Sequence, residues 1–122
     1  MARAAMPYDP DNVFARILRD EIASDRVYED EDFIAFRDIN PAAPTHILLI
    51  PRGQPPTGPA GLTEADAGWA GRMLVLAAEI ARAQGLDEGG YRLVMNNGRN
   101  AGQDVPHLHL HILGGAPLGP IA

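Results

Sequence analysis

Residues 107–115 have the sequence His-Leu-His-Leu-His-Ile-Leu-Gly-Gly. Three histidines alternate in it with apolar residues, and the two glycines end it, which predicts a half-buried β-strand. Side chains two positions apart on a strand share a face and lie roughly 6.6 Å apart, so we expect the three imidazoles in one row. The whole chain has four histidines. Such a row could share a ligand or a reaction centre.

The composition limits the chemistry that the chain can carry. Its 122 residues are most simply one domain, which is large enough to bury a core. Because cysteine is absent, histidine and carboxylate side chains remain for catalysis or metal binding. The net charge of −6 argues against general affinity for nucleic acid or anionic membranes. With no long apolar run and no signal-type start, we expect a soluble cytoplasmic protein.

Hydrophobic spacing predicts one short and one long helix. The short helix follows an N-cap at Asp11 and has about three turns at most. The long helix opens at a capping-box signature that begins at Thr63 and ends near Gly85. The apolar positions of the short helix are Val13, Phe14, Ile17 and Leu18, with Ile22 packing just beyond its end.

Five strands are predicted around these helices. They cover residues 26–28, 33–37, 45–51, 91–96 and 107–113. The acidic run at 29–32 suits the exposed turn of a hairpin. The pattern predicts an α+β domain in which helices cover one face of a mostly antiparallel sheet. Residues 1–11 are expected to form a flexible arm, and residues 116–122 a C-terminal tail.

The histidine row permits three interpretations on spacing alone. Three histidine ligands with one open position are typical of catalytic zinc, for which Asp104 would be the nearby supporting carboxylate. Alternatively, one imidazole attacks phosphorus while its neighbours fix its tautomer and supply protons. Backbone N–H groups of the loop at 98–102, with Asn96 and Gln103, would then surround the phosphate oxygens. A purely structural row of solvated histidines is the third possibility.

The histidine strand also resembles the signature of the histidine triad (HIT) family, in which three histidines alternate with apolar residues. The chain is similar to its Hint branch of nucleotide-binding phosphoramidases, in segments that occur in the same order over residues 12–115. These segments are Asn12-Val13-Phe14-Ala15-Arg16-Ile17, Phe36-Arg37-Asp38-Ile39-Asn40-Pro41, Ala43-Pro44-Thr45-His46, Tyr91-Arg92-Leu93-Val94-Met95-Asn96 and Gly114-Gly115.

The resemblance implies a fold and an assembly. One histidine triad domain would span residues 12–115, with a five-stranded, mainly antiparallel sheet, one short helix and one long helix. Two copies would form a homodimer with a continuous ten-stranded sheet. The resemblance implies no metal and no cofactor.

The resemblance also implies an activity of the adenosine 5′-monophosphoramidase type. Nucleoside 5′-phosphoramidates or acyl-adenylates, derivatives of AMP or GMP, would be hydrolysed to the monophosphate through a nucleotidyl-histidine intermediate. His109 corresponds to the nucleophile, and His46 to a residue that orients the far nitrogen of that nucleophile. His107 and His111 would bond the phosphate oxygens or the leaving group, with His111 delivering the proton.

The nucleotide-binding residues are also implied by position. Asp38 would take the ribose hydroxyls, a task that suits a carboxylate acceptor. The base would lie in an apolar slot with little hydrogen-bond recognition, so purine preference should be modest. The slot residues are Val13, Phe14, Ile17, Ile22 and Ile39, and the phosphate-side residues are Asn96, Gln103 and Val105.

Two positions depart from the family pattern. Asp104 stands where many relatives have a small hydroxyl residue, and a carboxylate there would repel phosphate unless it is protonated or turned away. The tail also lacks the tryptophan with which some relatives complete the partner's site.

Three alternatives accompany the phosphoramidase hypothesis: a dinucleoside polyphosphate hydrolase, a nucleotide-binding adaptor with incidental hydrolysis, and a histidine-ligated zinc protein.

Overall fold

A five-stranded antiparallel sheet with two helices forms the body of the protein, as seen in a computed structural model that describes residues 7–121. The sheet order is β1-β2-β3-β5-β4, and all four strand pairings are antiparallel. The elements are α1 (Val13–Leu18), β1 (Arg26–Glu29), β2 (Phe33–Arg37), β3 (Thr45–Pro51), α2 (Ala67–Ala83), β4 (Tyr91–Val94) and β5 (Leu110–Gly114). The predicted α+β class and the five-stranded sheet are confirmed.

Asp30 organises the hairpin between β1 and β2. Its carboxylate accepts hydrogen bonds from the backbone N–H groups of Asp32 and Phe33, at 2.7 and 2.8 Å. The Tyr28 hydroxyl and the Arg72 guanidinium donate to the same side chain. Burial would raise the pKa of Asp30, but these hydrogen bonds together hold it well below its usual value. The acidic run thus forms the predicted turn because its first aspartate is bonded from several directions.

Alternation along the strands divides the core into two layers. On one face, Phe33 and Ala35 of β2 pack with Ile47 and Leu49 of β3 against α2. Each of these residues is almost wholly buried. The intervening residues point to the other face and pack against α1. This second layer consists of Phe14, Ile17, Ile34, Phe36, Leu48 and Ile50, with Ile22 packed against it as predicted.

The helices differ from their predictions in two respects. The N-cap of α1 is Asn12, because its side-chain oxygen accepts from the backbone N–H of Ala15 at 2.9 Å. The prediction of Asp11 as the cap is therefore wrong. The two helices also cover opposite faces of the sheet, and not one face as predicted, because the apolar residues of β2 and β3 alternate between two buried sides.

The long helix begins through a 3₁₀ turn, Glu64–Asp66. The backbone N–H of Thr63 donates to the Asp66 carboxylate at 2.9 Å, so the predicted capping box is present. The buried side of α2 consists of Met73, Leu76, Ala77, Ile80 and Ala81. Within residues 7–121, no helix has the length and apolar character needed to cross a bilayer.

The histidine strand is shorter than predicted. β5 begins at Leu110; residues 107–109 precede it outside the strand, with His107 in a bend. The backbone N–H of His107 bonds the carbonyl of Val105, and that of Leu108 bonds the carbonyl of Pro56. β4 also ends early, at Val94. His107 and His109 therefore lie just before the strand, and only His111 of the three is within it.

We predict that replacing Gly115 destabilises the fold. Gly115 has a φ of 92°, and a Cβ there would lie 3.0 Å from the Cβ of Pro44. Gly115→Ala should lower the free energy of unfolding by about 1–3 kcal/mol in urea titrations, because both the backbone and the contact are strained. The control is Gly89→Ala, since a Cβ at Gly89 meets nothing within 4 Å. Equal losses in the two variants would contradict the prediction.

Candidate active site

A cavity of about 290 Å³ lies on the face of the sheet that carries α1. It is lined by α1 and the segment after it, by the end of β2 and its following turn, and by the histidine segment. Eleven of the residues expected to bind nucleotide or catalyse line this cavity. They are Val13, Phe14, Ile17, Ile22, Asp38, Ile39, Asn96, Asp104, Val105, His109 and His111.

The hydrogen bonds of His109 leave one of its nitrogens free toward the cavity. Its Nδ1 lies 2.7 Å from the backbone carbonyl of His107. Because a carbonyl only accepts, Nδ1 carries the hydrogen and Nε2 carries the lone pair. The edge of the Phe14 ring packs against the imidazole, with 4.9 Å between the ring centres. Burial lowers the pKa of His109, although its hydrogen bond to the His107 carbonyl acts in the opposite direction. The ring is therefore neutral near pH 7, with an unprotonated Nε2.

The tautomer of His111 is set through His46. The backbone N–H of Ala42 donates to Nδ1 of His46 at 3.0 Å, so the hydrogen of His46 is on Nε2. That nitrogen lies 2.9 Å from Nδ1 of His111, which must accept, so His111 carries its own hydrogen on Nε2. Burial lowers the pKa of His111 to about 4, and the nearby His109 and His46 act in the same direction. His111 thus presents a neutral N–H donor.

His46 does not act on the nucleophile in the way that was expected. The far nitrogen of His109 bonds the His107 carbonyl, and His46 bonds His111. His46 lies on β3, opposite Leu113 in the pairing with β5, and Leu48 lies opposite His111. The expectation that His46 orients His109 is therefore wrong, because the strand register brings it to the neighbouring histidine. Burial lowers the pKa of His46, against the charge of Asp38, whose Oδ2 is 3.5 Å from Nε2.

His107 does not line the cavity. Its side chain is fully buried, with Nε2 2.9 Å from the carbonyl of Pro51 and Nδ1 2.7 Å from the Tyr8 hydroxyl. Burial lowers its pKa to about 4. The Phe14 ring of α1 lies near the imidazoles of both His107 and His109, so His107 lies on the α1 side of the sheet, although only His109 and His111 line the cavity. Direct contact of His107 with a phosphate is not supported by this position.

One end of the cavity is apolar and the other is polar. All five residues of the expected base slot line it, and Ile39 stands at the rim with 90% of its surface exposed. Asp38 is partly buried beside them, and its Oδ1 accepts from the backbone N–H of Asn40 at 2.8 Å. Its other oxygen lies toward His46. The arrangement suits a flat apolar group with a hydroxyl-bearing group next to it.

The residues expected on the phosphate side are divided between two tasks. Asn96 lines the cavity, and its side-chain N–H donates to the carbonyl of Ala101 at 2.9 Å. Gln103 lies outside the cavity lining and holds the loop together, donating to the carbonyls of Thr57 and Val105 at 2.5 and 3.0 Å. Its Oε1 accepts from the backbone N–H of Gly98. The side chain of Gln103 therefore shapes the loop that borders the site.

Asp104 is exposed and lies where the cavity meets a second, open cleft. That cleft is formed by the loop at 97–103, Thr57 and Pro106. The charge of Asp104 raises the pKa of His109 and of His111, whereas burial lowers both pKa values by more. The carboxylate is thus close enough to influence both imidazoles.

Five lining residues were missed by the sequence analysis: Ala23, Ser24, Phe36, Arg37 and Leu48. Phe36 pairs with Leu48, and Leu48 pairs with His111, so the three lie side by side across the sheet. Alternation predicted which side chains share a face within β2 and which share a face within β3. It did not predict that Phe36 and Leu48 lie beside His111, because that depends on the register between the strands.

The imidazole nitrogens offer few positions to a metal. Both nitrogens of His46 and of His107, and Nδ1 of His109 and of His111, have partners within the protein. Two nitrogens remain for a ligand, whereas catalytic zinc is held by three protein ligands. Across residues 7–121, no group of three or more His, Asp or Glu side chains is arranged to hold a metal ion.

Comparison with known proteins agrees with this architecture. The model of the HIT domain family matches residues 19–118. The chain is 50% identical over 111 residues to the purine nucleoside phosphoramidase of Escherichia coli (strain K12), covering 91% of this chain and 92% of that protein. It is 46% identical over 108 residues to the 14 kDa zinc-binding protein of Zea mays, covering 88% of this chain and 84% of that protein.

A solved structure shares the fold. The HIT family hydrolase from Clostridium thermocellum has a TM-score of 0.84 and 43% identity, covering 90% of this chain and 95% of that one. The similarity to the Hint branch, inferred from the histidine strand and its neighbouring segments, is thereby confirmed. With the family model matching most of its length and the fold in agreement, the chain belongs to the HIT domain family.

Proposed function

We propose that this protein hydrolyses nucleoside 5′-phosphoramidates or acyl-adenylates, releasing the nucleoside monophosphate through a nucleotidyl intermediate on His109. The observation that carries the proposal is the lone pair on Nε2 of His109, which the hydrogen bond from Nδ1 to the His107 carbonyl leaves free at the cavity. A nucleophile needs such a free nitrogen while the other one is fixed. The name of the E. coli relative, a purine nucleoside phosphoramidase, supports the substrate class.

The proposed binding mode arranges the parts of a nucleotide along the cavity. The base would lie against the apolar residues of α1 and Ile39, and the ribose hydroxyls would donate to the Asp38 carboxylate. The α-phosphorus would then face His109 and His111. Because the base slot is apolar, shape selects a purine more than hydrogen bonds do, and adenine and guanine should be discriminated only modestly.

The reaction would proceed in two displacements at phosphorus. In the first, Nε2 of His109 forms a bond to phosphorus, and the bond to the leaving group breaks with its electron pair. An acyl-adenylate releases a carboxylate, which needs no proton, whereas a phosphoramidate releases an amine that must gain one. We assign the delivery of that proton to the imidazolium form of His111, since a neutral ring that gave up its N–H hydrogen would be left as an anion. The negative charge of the bound phosphate would favour this form, and the donating nitrogen would be Nε2, which is not the one bonded to His46. In the second displacement, water attacks phosphorus, frees His109 and replaces the proton.

The alternatives make different demands on the same site. A dinucleoside polyphosphate hydrolase would also use His109, but would prefer a nucleotide as the leaving group. An adaptor would bind the monophosphate tightly and turn over slowly. A zinc protein, for which the name of the maize relative provides a precedent, would need a third ligand besides the free nitrogens of His109 and His111.

We also propose that the protein is a homodimer joined at β4. Within residues 7–121, β4 pairs with β5 on one side and with no strand on the other. Nearby α2 carries the apolar side chains of Leu74 and Val75, which are 57% and 59% exposed. An unpaired edge strand and an exposed apolar helix surface are both stabilised by a second copy. Pairing of two β4 strands would give the ten-stranded sheet that the family resemblance implies.

The first prediction from this proposal concerns covalent catalysis. On brief mixing with adenosine 5′-phosphoramidate, wild type should gain the mass of an adenylyl group, and His109→Ala should not. Release of AMP by His109→Ala should fall by a factor on the order of 1,000 or more, because the nucleophile is lost. The measurement is intact-protein mass spectrometry without an acid quench, since phosphohistidine bonds are acid-labile.

The control for this experiment is binding of AMP to His109→Ala, which shows that the cavity is still formed. Equal release of AMP by the two proteins would contradict the assignment of His109. The same would follow if no adduct formed and the native spectrum contained one zinc ion per chain, and the zinc hypothesis would then be preferred.

The second prediction concerns pH. Protonation of Nε2 removes the lone pair of His109, so kcat/KM should fall on the acidic side of its profile. Because burial lowers the pKa of His109, the midpoint of this fall should lie below 6.5, the ordinary value for an imidazole. The rate is measured with a substrate that does not itself titrate over roughly pH 4 to 8. A midpoint at or above 6.5 would contradict a buried, neutral nucleophile.

The third prediction concerns the dimer. Replacing both Leu74 and Val75 with Glu should convert a dimer into a monomer in sedimentation velocity, because it places four like charges in the proposed interface. The control is Gln54→Glu, which adds a carboxylate to an exposed loop. A wild-type protein that sediments as a monomer would reject the proposed assembly.

A further inference from the structure

Tyr8 makes a contact that the sequence did not suggest. It lies in the segment before α1, and its hydroxyl is 2.7 Å from Nδ1 of His107. The two rings also meet edge to face, with 5.6 Å between their centres. His107 is fully buried, so the Tyr8 hydroxyl bonds an imidazole that solvent does not contact. The contact therefore connects the start of the described chain to the histidine segment.

The segment that carries Tyr8 is tied to α1. The carbonyl of Asp9 accepts from the backbone and the side chain of Asn12, at 3.1 and 2.8 Å. Asn12 is the N-cap of the helix. The next carbonyl, that of Pro10, accepts from the Arg19 guanidinium at 2.7 Å. Residues 9 and 10 are thus bonded to both ends of α1, which fixes the backbone from which the Tyr8 side chain contacts His107.

The two hydrogen bonds of the His107 ring define its state. The Pro51 carbonyl can only accept, so Nε2 carries the hydrogen and Nδ1 accepts from the Tyr8 hydroxyl. Both nitrogens are then satisfied with the ring neutral, which agrees with its lowered pKa. Tyr8, Pro51 and the rings of Phe14 and His109 are the groups that surround this imidazole.

The same residue supplies the carbonyl that directs His109. His107 bonds Tyr8 and Pro51 through its ring, and Nδ1 of His109 through its backbone oxygen, at 2.7 Å. The ring of Phe14 also packs on both imidazoles, with centre distances of 6.1 and 4.9 Å. A shift of the His107 ring would move its backbone, and with it the acceptor that aims the nucleophile.

We propose that Tyr8 is a positioning residue: its hydroxyl holds the His107 ring against the Pro51 carbonyl and so fixes the backbone oxygen that aims His109 at phosphorus. Tyr8 touches neither the substrate nor the reacting atoms. The expected effect of Tyr8 on turnover rests on the proposed function. The expected effect of Tyr8 on the His107 ring rests on geometry alone. Part of the segment expected to be a flexible arm is thereby given a role in the site.

The test compares two tyrosine variants that each lose one hydroxyl. Tyr8→Phe removes the hydrogen bond to His107, and Tyr28→Phe removes one of equal length, 2.7 Å, to Asp30 outside the site. Both keep the aromatic ring. In Tyr8→Phe we expect kcat to fall about threefold to tenfold with KM unchanged within about twofold, since the nucleophile is less well aimed. Tyr28→Phe should retain the wild-type kcat.

A second readout does not depend on turnover. In protein with ¹⁵N-labelled histidine, long-range ¹H–¹⁵N spectra distinguish protonated from unprotonated ring nitrogens. In wild type, Nδ1 of His107 should be unprotonated and shifted by an accepted hydrogen bond. In Tyr8→Phe, this signal should move toward the position of a free unprotonated nitrogen, and the His109 signals should move with it. In Tyr28→Phe, both sets should stay in place.

The outcomes separate this inference from the proposed function. If wild type hydrolyses no phosphoramidate but the His107 and His109 signals move in Tyr8→Phe, the function fails and the positioning contact stands. If the signals and kcat of Tyr8→Phe match those of Tyr28→Phe, the inference is overturned, and a loss of thermal stability alone would not rescue it. Should Tyr8→Phe fail to fold, the wild-type spectrum decides, because a proton on Nδ1 of His107 would overturn the inference.

Discussion

The site depends on the hydrogen bond from Nδ1 of His109 to the backbone carbonyl of His107, 2.7 Å long. A buried imidazole must satisfy its nitrogens, and a backbone partner decides which nitrogen carries the hydrogen. The backbone does the same at the other two buried histidines, through the carbonyl of Pro51 and the amide of Ala42. No buried side-chain nitrogen or oxygen in the described part of the chain lacks a partner. The tautomers are therefore consequences of the fold, and they are set before any ligand arrives.

The two faces of the sheet perform different tasks. The face covered by α2 is a continuous apolar layer that includes Phe33, Ile47, Leu49 and Ile112, all at most 1% exposed. The face covered by α1 is apolar under the short helix and becomes polar toward His46 and His111. Because α1 is only six residues long, it leaves part of its face open as the cavity. A stable layer on one side thus supports a site on the other.

Charge in the site follows from burial. His107 and His111 have pKa values lowered to about 4 because their rings are largely removed from water. A neutral site costs less to bury than a cationic one, but it attracts an anion less strongly. The carboxylates of Asp38 and Asp104 lie at the same cavity in a chain of net charge −6. Arg37 also lines the cavity, but its guanidinium pairs with Asp25 at 3.6 Å and donates to Gln84. Binding of an anion here would therefore rely on neutral donors, shape and the apolar slot, more than on attraction between opposite charges.

The sequence by itself determined the class of fold, most strand and helix positions, and the eleven cavity residues named in advance, because alternation, capping and a family signature are local properties. It did not determine the N-cap of α1, the opposite placement of the helices or the missed lining residues Phe36 and Leu48. Tertiary structure alone decided that His46 bonds His111 and that His107 turns to Pro51 and Tyr8. The physical reason is that a strand register and a buried hydrogen bond join residues far apart in the chain, and neither leaves a periodic trace in the sequence.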